Sequence, residues 1–202
     1  MPDLYDVVRQ RRSIRSYQAK PVPKEVIQTV LESVSWAPSA HNSQPWRFIV
    51  LEDAQVKRDL AEQMADAWAT DATRDNQVVD AKMRNERVER FAGAPVLILA
   101  SLTMECLRKF SDEARRSIER DLAVASLGAG IQNLLLTAHA SGLGACWYCA
   151  PAFCRQLVQE TLKIPKHVEP HAFITLGYPE EHPPAPSRKK VRNYCFIDTW
   201  GR

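Results

Sequence analysis

The longest apolar stretch of the chain covers residues 118–140, and no charged side chain follows Asp121 until Arg155. A helix that is apolar on every side is buried, so we predict either a central core helix or a helix at a subunit interface. A run of about 20 apolar residues is also long enough to cross a bilayer. The polar side chains of Gln132 and Asn133, and helix ends that lack interfacial anchors, argue against a membrane span.

Shorter periodic segments on either side of this helix predict the remaining elements. Helical spacing of apolar residues predicts helices over 3–12, 24–37, 54–68 and 153–162, with a charged and mostly helical stretch reaching Arg90. Alternating or continuous apolar runs predict strands over 46–51, 94–100, 145–149 and 171–178, with an edge strand over 193–197. Strands separated by helices indicate an α/β or α+β fold in which helices cover both faces of a sheet.

Length, charge and cysteine content narrow the class of protein. A chain of 202 residues is expected to form one domain, 1–202, and its net charge of +3 is too small to indicate a nucleic-acid partner. Five cysteines, an odd number, argue against a disulfide framework and favour a reducing cytoplasm. Basic side chains cluster near both ends of the chain, at 9–15 and 188–192, where the two clusters could meet on one anion.

Three motifs carry a resemblance to a known family. They are RRSIR at 11–15, PSAHNSQPWRF at 38–48 and GLGACW at 142–147, and the second is the most specific. In these motifs, in their order and in their spacing, the chain resembles the FMN-dependent nitroreductase family over nearly its whole length. The resemblance implies an α+β fold with a central mixed sheet flanked by helices. It also implies a homodimer with shared active sites, with helix 118–140 near its centre and the C-terminal extension packing on the partner subunit.

The resemblance further implies which residues bind the cofactor, FMN. A phosphate requires cationic and hydrogen-bonding groups, and the residues expected there are Arg11, Arg12, Ser13, Arg15, Arg188 and Lys190. Because Lys189 lies between the last two, the register of the tail stays open. A loop from the other subunit is expected to complete the ring site with Pro38, Ser39, Ala40, Asn42 and Gln44. Backbone groups of Cys149 and Ala150 are expected beside the flavin nitrogen that carries the hydride. Whether the charged segment 84–90 also contacts the flavin, through Asn85 or Arg87, stays open.

The resemblance implies a reaction as well as a cofactor. NADH or NADPH would deliver hydride to the flavin and leave, and a nitroaromatic, quinone or related small-molecule acceptor would then take its place over the same ring face. A cofactor of this kind carries the chemistry itself, so no side chain is predicted to be catalytic. Residues 36–68 are most similar to the group related to the C-terminal domain of deazaflavin-cofactor ligases, which use flavin in a biosynthetic reduction. The acceptor therefore stays open.

Two hypotheses from other classes of protein start from different residues. Cys146 and Cys149 have the spacing of a redox disulfide or of half a zinc site. On a strand, however, residues three apart point to opposite faces, so we favour structural cysteines and no metal. His167 and His171 are four apart, but nearby prolines prevent the helix that would align them for a metal. The basic ends could bind DNA or RNA, although no recognisable nucleic-acid motif accompanies them.

Overall fold

The computed structural model describes residues 3–201 of the chain. The helices in this range are α1 Leu4–Gln10, α2 Lys24–Glu32, α3 Ala54–Arg74, α4 Ala81–Ala92, α5 Glu113–Ala140 and α6 Arg155–Thr161. The strands are β1 Trp46–Leu51, β2 Val96–Thr103, β3 Gly144–Tyr148 and β4 Val168–Gly177. Short 3-10 turns occur at Ser33–Trp36, Ala40–Asn42, Ala150–Phe153 and Val191–Asn193.

The four strands form one sheet in the order β1-β2-β4-β3, and every neighbouring pair is antiparallel. The predicted α+β class is thereby confirmed, while the prediction of a mixed sheet is corrected. β2 and β3 do run in the same direction and are joined by α5, as a helical crossover allows, but β4 inserts between them. Parallel pairing among the described residues is limited to an isolated bridge between Ser13 and Ala145.

β2 lies at the centre of the core, and all eight of its residues are buried. This burial confirms the prediction from its continuous apolar run, which is typical of a strand covered on both faces. On one face, Ile98 and Ala100 belong to a cluster that includes residues of α2 and α5. On the other face, Leu97 and Leu99 pack with residues of α3, α4 and α6. The sheet therefore lies between two helical layers.

Two predicted strands differ from the observed ones. β4 begins at Val168, earlier than predicted, even though Pro170 cannot donate a backbone hydrogen bond. The register of β2 against β4 skips His171, and such a bulge accommodates a proline inside a sheet. The edge strand predicted over 193–197 is not formed in the described chain. The exposed tail lies beside no strand there, and it forms the 3-10 turn Val191–Asn193 followed by irregular backbone.

Helix α5 is longer and more exposed than predicted. It begins at Glu113, because the Asp112 side chain accepts a hydrogen bond from a backbone N–H of the first turn. One side packs on the sheet, but Ile118 and Leu122 on the other side are 56% and 39% exposed, and Val124, at the border between the two sides, is 37% exposed. Complete burial of this helix is therefore not reached within one chain. The helix is also long and apolar enough to cross a membrane. Its apolar residues are explained instead by its packing on α2, β2 and β3.

Two glycines of α5 provide a matched test of this packing. A Cβ at Gly130 would lie 2.8 Å from Cγ1 of Val34, whereas a Cβ at Gly128 would meet only the Trp147 ring, at 3.8 Å. We expect Gly130→Ala to lower the free energy of unfolding by about 1–3 kcal/mol through overpacking. Gly128→Ala should leave it unchanged or raise it by up to about 1 kcal/mol through helix propensity. Urea unfolding measures both, and equal effects would contradict the close packing of Val34 on α5.

Candidate functional site

A cationic segment, residues 11–15, lies along the outer edge of β3. The Ile14 N–H donates to the Ala145 carbonyl at 3.0 Å, and Ser13 forms the isolated bridge with the same strand. This close approach depends on Gly144, where an added Cβ would lie 2.7 Å from Cβ of Ile14. The backbone of the cationic segment is therefore fixed against the start of β3.

A cavity of about 400 Å³ adjoins the cationic segment, between α1, the end of α5 and the start of β3. Its polar lining residues are Gln10, Arg11, Arg12, His139 and His182. Within residues 3–201, the buried Nε of Arg11 has no hydrogen-bond partner. Because an unsatisfied buried donor is costly, this cavity is suited to an acceptor that comes from outside the chain.

The charges around this cavity are unbalanced toward positive. Burial, followed by the charges of Arg188 and Arg12, lowers the pKa of Arg11. Burial, followed by the charges of Arg11 and Arg12, also lowers the pKa of His139, which favours its neutral form at pH 7. A nearby negative charge favours the protonated, cationic form of a basic group. An anion in the cavity would therefore raise the pKa of both Arg11 and His139.

The arginines predicted for the phosphate do not contribute equally. Arg12 donates from Nη1 to the carbonyls of Arg9 at 2.6 Å and Arg11 at 2.7 Å, so part of its capacity is used to close the end of α1. Arg15 is exposed and donates to the Ser13 carbonyl at 3.3 Å. Arg11 is therefore the member of the cationic segment whose guanidinium remains most available for a ligand.

The C-terminal tail reaches the same region from the far end of the sequence. Glu181 accepts hydrogen bonds from the backbone N–H of Arg15 at 2.5 Å and from that of the next residue at 3.2 Å. Beyond this anchor, Arg188 is close enough for its charge to lower the pKa of Arg11. No such effect of Lys190 on Arg11 is resolved in the described chain. Of the two predicted tail ligands, Arg188 is therefore the one whose charge acts on Arg11, although neither lines the cavity in the described chain.

The second motif forms a strained loop. His41, Asn42 and Gln44 have φ angles of +55°, +52° and +45°, in a region that non-glycine residues rarely adopt. Two hydrogen bonds hold this shape: the Gln44 N–H donates to Ser39 Oγ at 3.1 Å, and Gln44 Nε2 donates to Asn42 Oδ1 at 3.3 Å. Such conformations cost about 1 kcal/mol or more each and cluster at functional sites.

Side chains of α5 anchor this loop. The Ala40 N–H donates to Ser126 Oγ at 3.1 Å. Nε2 of His41 lies 3.3 Å from Oε1 of Glu119, a carboxylate that is buried on the same helix. The other oxygen of Glu119 has no partner within the described chain. The position of the loop is therefore set by the first half of α5.

The loop and the cavity lie at different places along α5. His139 borders the cavity near the end of the helix, 13 residues after Ser126. At 1.5 Å per residue, this separation is about 20 Å. We call the cavity with Arg11, His139 and Arg188 the cationic half-site, and the loop 38–44 the loop half-site. One chain does not bring the two together.

Cys149 and Ala150 lie just beyond the end of β3, at the start of the turn Ala150–Phe153. From Ala145 to Cys149 the chain advances about 13 Å along the edge of the sheet. Main-chain groups alternate in direction along a strand, so those of Trp147 point to the same outer edge as those of Ala145. The structure therefore aligns the cationic half-site with Cys149 and Ala150 along one open edge.

The cysteine pair occupies two different environments. Cys146 is buried in β3, whereas Cys149 is exposed beyond its end, and the five cysteines are free thiols. Among residues 3–201, no group of three or more His, Cys, Asp or Glu side chains could hold a metal ion.

The sequence model of the nitroreductase family matches residues 8–178. The chain belongs to this family. A protein of Methanothermobacter thermautotrophicus, provisionally named NADH dehydrogenase/NAD(P)H nitroreductase, is 31% identical over 183 residues, which are 90% of this chain and 80% of the relative. A provisional nitroreductase of Desulfovibrio desulfuricans, solved in complex with FMN, is 26% identical, with a TM-score of 0.74 and 99% of each chain covered. A BluB-like flavoprotein of Clostridium difficile shares the fold, with a TM-score of 0.81, 23% identity, and 98% and 100% of the two chains covered.

Three site residues of this nitroreductase-family chain were missed by the sequence analysis. Ser126, Glu119 and His139 lie on α5, where they interrupt or precede an apolar run. A polar side chain on a buried helix usually has a hydrogen-bond partner, and that rule is the signal that could have identified them. Their partners are distant in sequence, so the rule alone would not have named the loop or the cavity.

The contact between Ser126 and the loop can be tested directly. Ser126→Ala removes the acceptor of the Ala40 N–H, and a hydrogen bond of this kind contributes about 0.5–1.5 kcal/mol. We expect local opening, and hence amide hydrogen exchange in 39–44, to become faster by up to about tenfold. Ser117→Ala, at an exposed position of the same helix, is the control. Unchanged exchange in the Ser126 variant would show that α5 does not hold the loop.

Proposed function

We propose that this chain is an FMN-dependent NAD(P)H oxidoreductase that reduces a nitroaromatic, a quinone or a related conjugated acceptor by ping-pong hydride transfer. The observation that carries the proposal is the half-buried Arg11 side chain, whose buried Nε has no partner in the described chain and whose pKa is lowered by the charge of Arg188. A terminal phosphate supplies both the negative charge and the acceptors that this cluster lacks. The FMN in the Desulfovibrio relative and the name of the Methanothermobacter relative support the same cofactor and reductant.

The edge of β3 fits the rest of such a cofactor. With the phosphate held by Arg11, Ser13 and Arg188, the remainder of FMN would follow the outer edge of the strand toward Cys149 and Ala150. The main-chain groups along this edge can hydrogen-bond the polar edge of the ring, and a backbone N–H serves there whatever its side chain is. Arg12, Arg15 and Lys190 would then contribute mainly through their positive charge.

When bound, FMN accepts a hydride from NADH or NADPH and passes it to the acceptor. The contribution of this chain is to hold the phosphate, to orient the ring through the backbone of Cys149 and Ala150, and to shield the reacting face from water. Hydride transfer itself requires no side chain as acid or base, so we assign none. We propose a reducing cytoplasm as the place of action, in keeping with the free thiols.

We also propose that two subunits share each active site. The two half-sites lie about 20 Å apart on one helix, so neither is complete in a single chain. In a two-fold dimer the same surface meets itself in reverse, and an axis near the middle of α5 would bring the loop of one subunit beside the cationic half-site of the other. The exposed apolar side chains of Ile118 and Leu122, one turn apart on α5, offer part of the surface that such a dimer would bury.

The visible absorption spectrum tests the cofactor, and Arg11→Ala tests its phosphate contact. We expect oxidised-flavin bands and release of FMN on heat denaturation, identified by chromatography. Charged hydrogen bonds contribute about 1.5–3 kcal/mol, so Arg11→Ala should weaken FMN binding by about tenfold or more. Riboflavin lacks the phosphate and should bind the variant and the wild type equally well. Fluorescence titration of the apoprotein measures both ligands.

Arg108→Ala, at an exposed position outside the site, is the control for the loss of one positive charge. Equal weakening of FMN and riboflavin by Arg11→Ala would reject the phosphate assignment. A colourless protein that fails to bind added FMN would overturn the proposed function. Initial rates of NADH and NADPH oxidation at several acceptor concentrations test the mechanism, because intersecting double-reciprocal lines would contradict a ping-pong scheme.

Leu122→Asp tests the shared site. A charge on the exposed apolar side of α5 should convert the dimer into a monomer, because burying an unpaired carboxylate is costly. The monomer should also lose FMN, since the loop half-site would then be absent from the partner's cavity. Light scattering after gel filtration measures the mass, and the flavin absorbance of the same peak measures occupancy. Val56→Asp, at a similarly exposed apolar residue of α3, should change neither; a monomeric variant that keeps full FMN affinity would argue against a shared site.

A further inference from the structure

A second cavity, of about 450 Å³, lies on the face of the sheet opposite α5. It lies between α3, α4 and the turn Ala150–Phe153, and its larger apolar walls are Met64, Trp68, Phe91 and Phe153. Ala150 also lines it, and the backbone of that residue is a proposed contact of the flavin ring. A molecule in this cavity would therefore lie beside the place where the proposed cofactor reacts.

Arg87 is the cation of this cavity. Its guanidinium carbon lies 3.4 Å from the centroid of the Trp68 ring, in a cation–π arrangement. The preceding arginine on the same side of α4, Arg84, is already paired with Asp66 at 2.6 Å. Arg87 makes no ion pair and no side-chain hydrogen bond with the part of the chain that the structure describes. Its donors are therefore available to a ligand.

The surrounding charges favour an anion at Arg87. Burial, followed by the positive charge of Arg90, lowers the pKa of Arg87. An anion bound there would offset this effect by favouring the protonated guanidinium. Of the two acidic lining residues, Asp71 already pairs with Arg74 at 2.9 Å, and Asp75 is exposed at the end of α3. A guanidinium stacked on an aromatic ring keeps its edge free, and that edge can bind a carboxylate through two parallel hydrogen bonds.

We infer that this cavity receives the electron acceptor, and that Arg87 selects aromatic acceptors with a single negative charge such as a carboxylate. The inference rests on the proposed function, because it places the acceptor beside the flavin ring. The aromatic walls favour a planar conjugated body, and the two lining aspartates disfavour a second negative charge. For a nitroaromatic acid the electrons balance: the nitro group, NAD(P)H and one proton give the nitroso compound, NAD(P)⁺ and water.

The compounds 4-nitrobenzoate and 4-nitrobenzamide test this selection, because they share size and nitro group and differ in charge. With full-length FMN-loaded protein, we expect kcat/KM to be higher for nitrobenzoate. Arg87→Gln should lower that value by about 10- to 100-fold, mainly through KM, and should change nitrobenzamide by less than about twofold. Arg87→Lys should recover part of the loss, because it keeps the charge without the planar fork. Arg108→Gln is the matched control.

Isothermal titration calorimetry of both compounds, without reductant, gives a readout that does not depend on turnover. Tighter binding of nitrobenzoate that disappears in Arg87→Gln supports the inference. Equal binding of the two compounds by the wild type, or an equal loss of both in the variant, overturns it. The proposed function fails differently: FMN would not bind, and NAD(P)H would not be oxidised with nitrobenzamide or with a quinone. An active enzyme without charge preference rejects only the assignment of Arg87.

Discussion

The fixed rise of α5 is the constraint on which the arrangement of the site depends. A helix advances about 1.5 Å per residue, so groups anchored at Ser126 and at His139 stay about 20 Å apart whatever the surrounding loops do. The rotation of the helix is fixed as well, because Ala123, Leu127 and Ile131 follow one another on the buried face. That rotation leaves the opposite apolar face exposed. Building the core therefore also presents the surface for the proposed dimer.

Both half-sites hold unfavourable free energy in the isolated chain. At one, the charge of Arg188 disfavours the protonated form of Arg11, whose buried Nε has no partner in the described chain. At the other, three consecutive or near-consecutive residues keep positive φ angles, and Glu119 has a buried oxygen without a partner in the described chain. Neither cost contributes to the stability of the core, which lies along β2. Costs of this kind are retained where a ligand or a partner relieves them, and this is the physical basis of the proposal that the two places are halves of one site.

Elements whose sequence signal is local form as predicted. β1 has its predicted bounds, 46–51, because β-branched and aromatic residues follow a turn-forming loop, and β2 is buried as its apolar run predicted. Predictions fail where the outcome depends on distant partners. Composition did not separate the core face of α5 from its exposed face, since both require apolar residues. Likewise, the effect of Arg188 on the pKa of Arg11 depends on where Glu181 fixes the tail against the chain near Arg15, and no spacing within the tail contains that information.

The strand order explains why a site exists at this edge at all. Strands joined by a helical crossover are often neighbours in a sheet. If β3 lay beside β2, between β2 and β4, both of its edges would be paired. Instead β4 takes that place and leaves β3 at the edge of the sheet that one chain forms. An edge strand exposes unpaired N–H and C=O groups, which proteins usually cover. The cationic segment covers the start of β3 at Ala145, and the proposed FMN would lie along the rest of the edge, toward Cys149. The antiparallel order, which the sequence did not predict, is therefore what places the row of backbone groups of β3 beside the cationic half-site.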